Sequence, residues 1–277
     1  MCGRYVVTNP VSKTDKLVKS AIQVEDNENY NAHPYQKLPV IKKYKNGNTL
    51  ENLKWGLVPS WAKDKDFKAL INARLETIDE KVSFKKLIKD FRCVAVADGF
   101  YEWKREEKEK TPHYFVREDK KPIFFAGIYE SDQFCLITEE ASDNIKEIHH
   151  RQPVILNQTD VNRYLNLELS GSSFLKEAKK PNLIFHEVSK DVNKPTNNTA
   201  SLVQPISNWD DIFYKDIYSC NLNIICKLAF RAIPKTCRIY NSTSYSFINC
   251  NYLFLLWTPR CWKNNHIYKK YIDRCTC

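Results

Sequence analysis

Arg92 to Thr138 reads RCVAVADGFYEWKREEKEKTPHYFVREDKKPIFFAGIYESDQFCLIT. Five runs rich in β-branched and aromatic residues stand out in it: Arg92 to Ala97, Tyr101 to Lys104, His113 to Arg117, Ile123 to Tyr129 and Phe134 to Thr138. Asp98-Gly99, a charged Lys104 to Lys110 loop and Asp119 to Pro122 separate them, and this punctuation predicts strands joined by turns. Five strands in so short a stretch leave no room for the crossover helices of βαβ units, so an antiparallel sheet or barrel is expected. Outward from this stretch, Tyr5 to Thr8 predicts a short strand, and Ser12 or Thr14 can cap a helix running through Ile22. Val40 to Tyr44 and Leu50 to Leu57 flank Asn46-Gly47-Asn48, a hairpin signal because Asn-Gly tolerates positive φ. Helices are expected at Asp79 to Lys89, Ser142 to His149, Thr159 to Leu165 and Ser173 to Lys179, and a closing strand at Leu183 to Val188. The expected class is α+β, mainly antiparallel sheet or barrel with peripheral helices and an irregular C-terminal tail.

The chain has 277 residues, 43% of them apolar and 13% aromatic, which excludes a collagen-like or low-complexity protein. All six glycines precede residue 172, whereas seven of the ten cysteines follow residue 208. Residues 1–207 carry 33 basic and 29 acidic side chains; residues 208–277 carry 10 and 4, with no glutamate or glycine. A domain is therefore expected over 1–207. The Cys-rich tail over 208–277 reads as translated noncoding sequence or a wrong reading frame, or as disordered. Only Cys275-Thr276-Cys277 is tightly spaced, so a zinc module is not expected there. The N-terminus shows no basic or apolar leader, and the Tyr252 to Trp257 run is too short to span a bilayer. An intracellular, soluble protein without membrane association is expected, nuclear in a eukaryote and cytoplasmic otherwise. In that compartment Cys2, Cys93 and Cys135 should be free thiols. Cys93 and Cys135 sit in apolar runs and read as buried hydrophobes, but Cys2 does not.

Removal of the initiator methionine before a small residue leaves Cys2 with both an α-amine and a thiol. The amine, with an ordinary pKa of about 7.7–8.0, is substantially neutral at cellular pH and can attack an aldehyde to give an imine, which the thiol closes to a thiazolidine. Alternatively the thiolate attacks an acyl carbon with its own amine as base. A bare Met-Cys is more simply an accident of the start codon, but Gly3 permits close backbone approach to a ligand and Arg4 offers an anion contact.

Three further constellations decide between these readings. They are Trp55-Gly56-Leu57-Val58-Pro59-Ser60-Trp61 with Ile71-Asn72-Ala73-Arg74-Leu75-Glu76-Thr77, then Ala97-Asp98-Gly99-Phe100-Tyr101-Glu102-Trp103, and finally His149-His150-Arg151-Gln152-Pro153. With Tyr30-Asn31, Pro34, His186 to Ser189, Asn193 and Leu202 to Pro205, the sequence closely resembles the SRAP family, the SOS response-associated peptidase fold of abasic-site processing proteins. The resemblance covers residues 2 to about 206. It implies a covalent sensor of abasic sites in single-stranded DNA, whose N-terminal cysteine forms a thiazolidine with the ring-opened sugar and shields the site during replication and repair.

By motif position, Cys2 would be the nucleophile, Asn72 would orient its amine or the sugar, Glu102 would move protons, and His149 would act on the deoxyribose oxygen. Arg4, Arg74 and Arg151 would hold phosphates, Trp61 would stack on a base or wedge the strand, and Asn31 and Pro34 would complete the DNA-binding set. The resemblance further implies lyase-like Schiff-base chemistry, self-processing of the N-terminus, no cofactor or metal, a monomer, and replication-fork proteins as partners.

The residues themselves leave simpler alternatives open. Strand alternation sets Phe100, Glu102 and Lys104 on one face, where burial would raise the Glu102 pKa, yet Glu102 could instead pair with Lys104 at the surface. Asn72 could cap a turn, Arg74 could pair with Glu76 or Asp79, and His150 adjoins His149. Val82 stands where relatives commonly carry arginine before Ser83-Phe84, Gln152 replaces a usual methionine, and His33 a small residue, which alters the expected groove contacts. At a net charge of +4, residues 1–207 must bind DNA through a local arginine cluster and stacking. The rivals are an N-terminal nucleophile amidohydrolase like the class II glutamine amidotransferases, and a noncovalent reader of modified bases.

Overall fold

The computed structural model describes residues 2–45, 47–62, 67–107 and 109–206. The expectations for 208–277, and the Asn46 position of the hairpin turn, lie outside the described residues. In chain order the strands are β1 (Tyr5–Thr8), β2 (Ser20–Ile22), β3 (Glu28–Ala32), β4 (Lys37–Tyr44), β5 (Gly47–Trp55), β6 (Asn72–Arg74) and β7 (Arg92–Ala97). They continue as β8 (Gly99–Glu106), β9 (Glu109–Arg117), β10 (Ile123–Glu130), β11 (Gln133–Glu140), β12 (Arg151–Pro153), β13 (Ile155–Leu156) and β14 (Leu183–Glu187).

Five of these strands form a ring. Antiparallel ladders join β5 to β4, β4 to β7, β7 to β10 and β10 to β11. A short parallel seam, Gln133 with Lys54 and Phe134 with Trp55, returns β11 to β5 and closes the barrel. The apolar Cys93 to Ala97 run of β7 and the Phe124-Phe125-Ala126 run of β10 follow from this closure, because a strand paired on both edges and covered on both faces has no wet side. Inside, Trp55 stacks on Phe134 at 6.3 Å between ring centroids and tilts against Tyr5 at 5.2 Å, while Tyr5 meets Phe125 edge-on at 5.6 Å. Each such buried ring stabilises the core by about 1.5–3 kcal/mol.

A second sheet runs β14-β9-β8-β1-β3. Residues 188–206 lie across it like a strap, burying Val188, Val192 and Leu202 against Val6, Tyr101 and Tyr114. The mainly antiparallel class read from the sequence is the one observed.

Several local expectations are corrected. The helix placed from Ser12 or Thr14 to Ile22 is only Pro10–Thr14, where Pro10 fixes a helical φ at the first turn and the Thr14 hydroxyl donates to the Pro10 carbonyl at 2.8 Å. Lys19 N then donates to Asn48 O at 2.9 Å, and Ser20–Ile22 extends as a strand parallel to β5. Within Asp79 to Lys89 the α-helix is confined to Leu87–Asp90, because the Asp79 carboxylate caps Ser172 N at 3.0 Å instead of a helix of its own. Ser142 to His149 contracts to the helix Asp143–Lys146. Within the charged Lys104 to Lys110 stretch, expected as a loop, Lys104 to Glu106 and Glu109 to Lys110 are strand, paired out to Glu106 with Glu109. Among the described residues, no helix is long and apolar enough to cross a membrane.

Candidate functional site

Within the second sheet, the register between β1 and β8 carries the chain start to Glu102. Tyr5 pairs with Phe100 and Val6 with Gly99, and the Arg4 carbonyl accepts Tyr101 N–H at 3.0 Å. In this antiparallel ladder each step back from Tyr5 toward Cys2 is matched by a step forward from Phe100 toward Glu102. From the barrel, β11 brings the other two groups. Asn72 opens β6 opposite Leu136, and His149 lies just before Arg151, which pairs with Glu140.

Cys2 is fully buried, contrary to the expectation that set it apart from the core cysteines. Its carbonyl accepts Asn72 Nδ2–H at 2.9 Å, and its Sγ lies 3.9 Å from Arg4 O. Burial, followed by the negative charge of Glu102, pushes the Cys2 thiol well above its ordinary range. Glu102 is 3% exposed, and burial pushes its carboxyl up to about 7. His149 Nε2 stands 3.9 Å from Glu102 Oε2. Burial draws the His149 ring down to about 4, so it is neutral at pH 7. Its Nδ1 is 3.0 Å from both the carbonyl and the amide of Arg151, so either neutral tautomer is held by the same residue. His150 is exposed and stacks on His149 with centroids 4.5 Å apart.

The surface alternative for Glu102 is removed, since Lys104 pairs with Glu106 at 2.7 Å. Glu76 is taken by Arg151 rather than Arg74, through bonds of 2.8 and 3.0 Å from the two Nη atoms, with Thr138 O a further acceptor at 2.7 Å. Arg4 is also engaged within the protein: its Nη1 donates to Asn31 Oδ1 and Val192 O, both at 2.7 Å. Asn31 is buried, and its amide donates to the strap carbonyls of Val192, Lys194 and Asn197. Arg74 and Trp61 are exposed, Pro34 is half-buried, and Trp61 meets Phe67 edge-on at 5.8 Å. The structure thus gathers Cys2, Asn72, Glu102 and His149, ties Arg4, Asn31 and Arg151 into internal struts, and leaves Arg74 and Trp61 at the surface.

One residue absent from the sequence reading is Arg105, whose positive charge, a smaller effect than burial at both groups, opposes the rise at Glu102 and adds to the fall at His149. Its signal was its place three residues beyond Glu102 on the same strand, masked by the charged run around it. Among the described residues no cluster of three or more His, Cys, Asp or Glu could hold a metal ion.

A closed mixed barrel with a flanking sheet, carrying a buried thiol and carboxyl with a half-buried imidazole and amide beside its first strand, defines the class. The chain belongs to the family described as SOS response associated peptidase (SRAP), which it matches over residues 1–195. It is 32% identical to the abasic site processing protein YoqW of Bacillus subtilis, across 74% of this chain and 99% of that one. It is 31% identical to the abasic site processing protein HMCES of Gallus gallus, across 64% of this chain and 66% of that one. A crystal structure of a protein from Bacteroides thetaiotaomicron shares the fold, with a TM-score of 0.65 and 24% identity over 74% of this chain and all of that one.

Proposed function

We propose that this protein processes abasic sites in single-stranded DNA by forming a covalent thiazolidine through Cys2 once the initiator methionine is removed. The observation that carries the reading is the convergence on Cys2: Asn72 bonded to its carbonyl at 2.9 Å, and a buried Glu102 raised to about 7 with His149 at 3.9 Å. The names of the relatives support the same substrate.

The chemistry follows from the protonation states. The free amine of Cys2 attacks the aldehyde carbon of the ring-opened sugar, and one amine proton passes to the oxygen, giving a carbinolamine. Protonated Glu102 supplies a proton to the departing hydroxyl, which leaves as water, and a C=N⁺–H iminium remains. The thiol then adds to that carbon, its S–C bond forming as its proton passes to the Glu102 carboxylate. One water is released and Glu102 ends as it began. A carboxyl near pH 7 suits both halves of this cycle. Neutral His149 hydrogen-bonds the sugar oxygen, Asn72 holds the Cys2 backbone, Arg74 meets a phosphate and Trp61 a base.

A thiol held protonated by burial favours this amine-first order over the thiolate attack that an amidohydrolase requires. The test incubates the methionine-processed protein with single-stranded DNA carrying one abasic site. A denaturation-resistant adduct is expected, and it should vanish in Cys2→Ala. An undiminished adduct from that variant would overturn the proposal.

A further inference from the structure

Tyr35 occupies a backbone conformation that favours glycine, with φ of 74°. A β-carbon in this left-handed region crowds the neighbouring carbonyl, and residues held there gather at ligand clamps and active sites. The surroundings fix it in place. Tyr35 N–H donates to Trp55 O at 2.7 Å, Trp55 N–H donates to Gln36 O at 2.9 Å, and the Gln36 side chain accepts His33 N–H at 3.2 Å. The side chain so held is not spent on the core, since Tyr35 is 56% exposed. One edge of the ring rests over Gly56: a β-carbon built there would meet Tyr35 Cδ1 and Cε1 at 3.7 Å and the Ala69 methyl at 3.2 Å.

That packing ties Tyr35 to the site. Leu57 and Leu70 form a β-bridge, and Ala69 precedes Asn72 by three residues, at most about 10 Å of extended chain. Asn72 in turn holds Cys2. An exposed aromatic ring, pinned on a strained but hydrogen-bonded backbone within a few nucleotides' rise of the nucleophile, has the properties of a stacking surface. Every nucleobase offers a π-face to such a ring, so the contact needs no sequence recognition.

We infer that Tyr35 stacks on an unpaired nucleobase flanking the abasic sugar. This rests on the reading of the protein as a binder of abasic single-stranded DNA. Leaving the ring on the surface is the cost of holding the DNA strand in register while the slower covalent steps proceed.

The test measures equilibrium binding in a Cys2→Ala background, with two oligonucleotides. One carries a single abasic residue between natural bases; the other carries an abasic tract with no base near the site. Tyr35→Ala should weaken binding of the first by roughly five- to a hundredfold and leave the second unchanged. Tyr35→Phe and Tyr35→Trp should retain tight binding. Tyr35→Gly should show the same loss as alanine with an unchanged or raised melting temperature, which separates lost stacking from a damaged fold. With Cys2 intact, 2-aminopurine placed on either side of the abasic residue should be quenched on one side by the Tyr35 protein and on neither by Tyr35→Ala. An equal loss on both oligonucleotides, no loss on the first, or quenching that survives Tyr35→Ala would overturn the assignment. Failure of the functional reading itself looks different: no Cys2-dependent adduct would form on either oligonucleotide, whatever stands at position 35.

Discussion

Arg92 and Cys2 are both buried polar centres, and their surroundings treat them in opposite ways. Arg92 donates from Nε to Ile88 O at 2.7 Å, from Nη1 to Tyr164 O at 3.2 Å, and from Nη2 to Leu169 O at 2.6 Å and Gly171 O at 2.9 Å. The Tyr164 ring lies 5.0 Å from its guanidinium carbon. Four carbonyls and a π-face surround the charge with fixed dipoles, and four of the five guanidinium N–H donors are spent within the protein. Around Cys2 the account does not close. Asn72 Oδ1 and Tyr5 OH are buried and have no hydrogen-bond partner among the described residues. An unmade hydrogen bond inside a protein costs about 1–3 kcal/mol, so native folds rarely leave such groups together. The difference separates a polar group that holds the fold from a set that awaits something else.

The comparison can be broken at either centre. The largest effect is expected from Arg92→Met, which strands four carbonyls at once and should cost about 3–5 kcal/mol in denaturant unfolding. At a temperature where the variant is folded, its Cys2 adduct should form normally. A loss of adduct without a loss of stability would erase the distinction between the two centres.

Next comes Glu102→Gln. Burial raises the Glu102 pKa from the ordinary 4.5 to about 7. The stability contributed by that proton is therefore complete below about 4.5 and is lost as pH rises through 7, a decline on the order of 3 kcal/mol. Glutamine cannot ionise, so the variant's melting temperature should hold between pH 5 and 8 where the parent's falls. Its adduct should form more slowly, without the drop above pH 7 that comes from losing the acid form. Parallel pH profiles for parent and variant would mean that Glu102 is not the titrating group.

The smallest effect is expected from Tyr5→Phe. Deleting a buried hydroxyl that has no partner among the described residues should raise stability by about 1 kcal/mol. A large destabilisation would show that the hydroxyl belongs with Arg92 among the satisfied groups.

Much of the barrel was legible because its strands are two-sided and apolar. β7, β10 and β11 announce themselves through Cys93 to Ala97, Ile123 to Ile128 and Phe134 to Ile137. What escaped was polar or very short. β2 is exposed at all three residues, β3 reads Glu-Asn-Tyr-Asn-Ala, and β6 has three residues, so none carries an apolar alternation. Each is held by its neighbour's edge rather than by its own burial. The site divides in the same way. The burial of Glu102 follows from strand alternation among aromatics, a local pattern. The burial of Cys2 comes from strands 70 and 100 residues away, and Met-Cys-Gly-Arg contains no sign of it. The engagement of Arg151 by Glu76, and of Arg4 by the strap, likewise comes from partners that motif position does not specify.

The parallel seam between β5 and β11 has a kinetic consequence. It joins Lys54 and Trp55 to Gln133 and Phe134, and the bond from Asn72 to Cys2 spans 70 residues. Contacts at such separations bear the largest loop-closure entropy and form after local hairpins such as β8 with β9. A chain emerging from synthesis thus exposes Cys2 before it owns the raised carboxyl and the neutral imidazole. Under the proposed function, the carboxyl and imidazole that assist Cys2 are assembled by the last contacts to close.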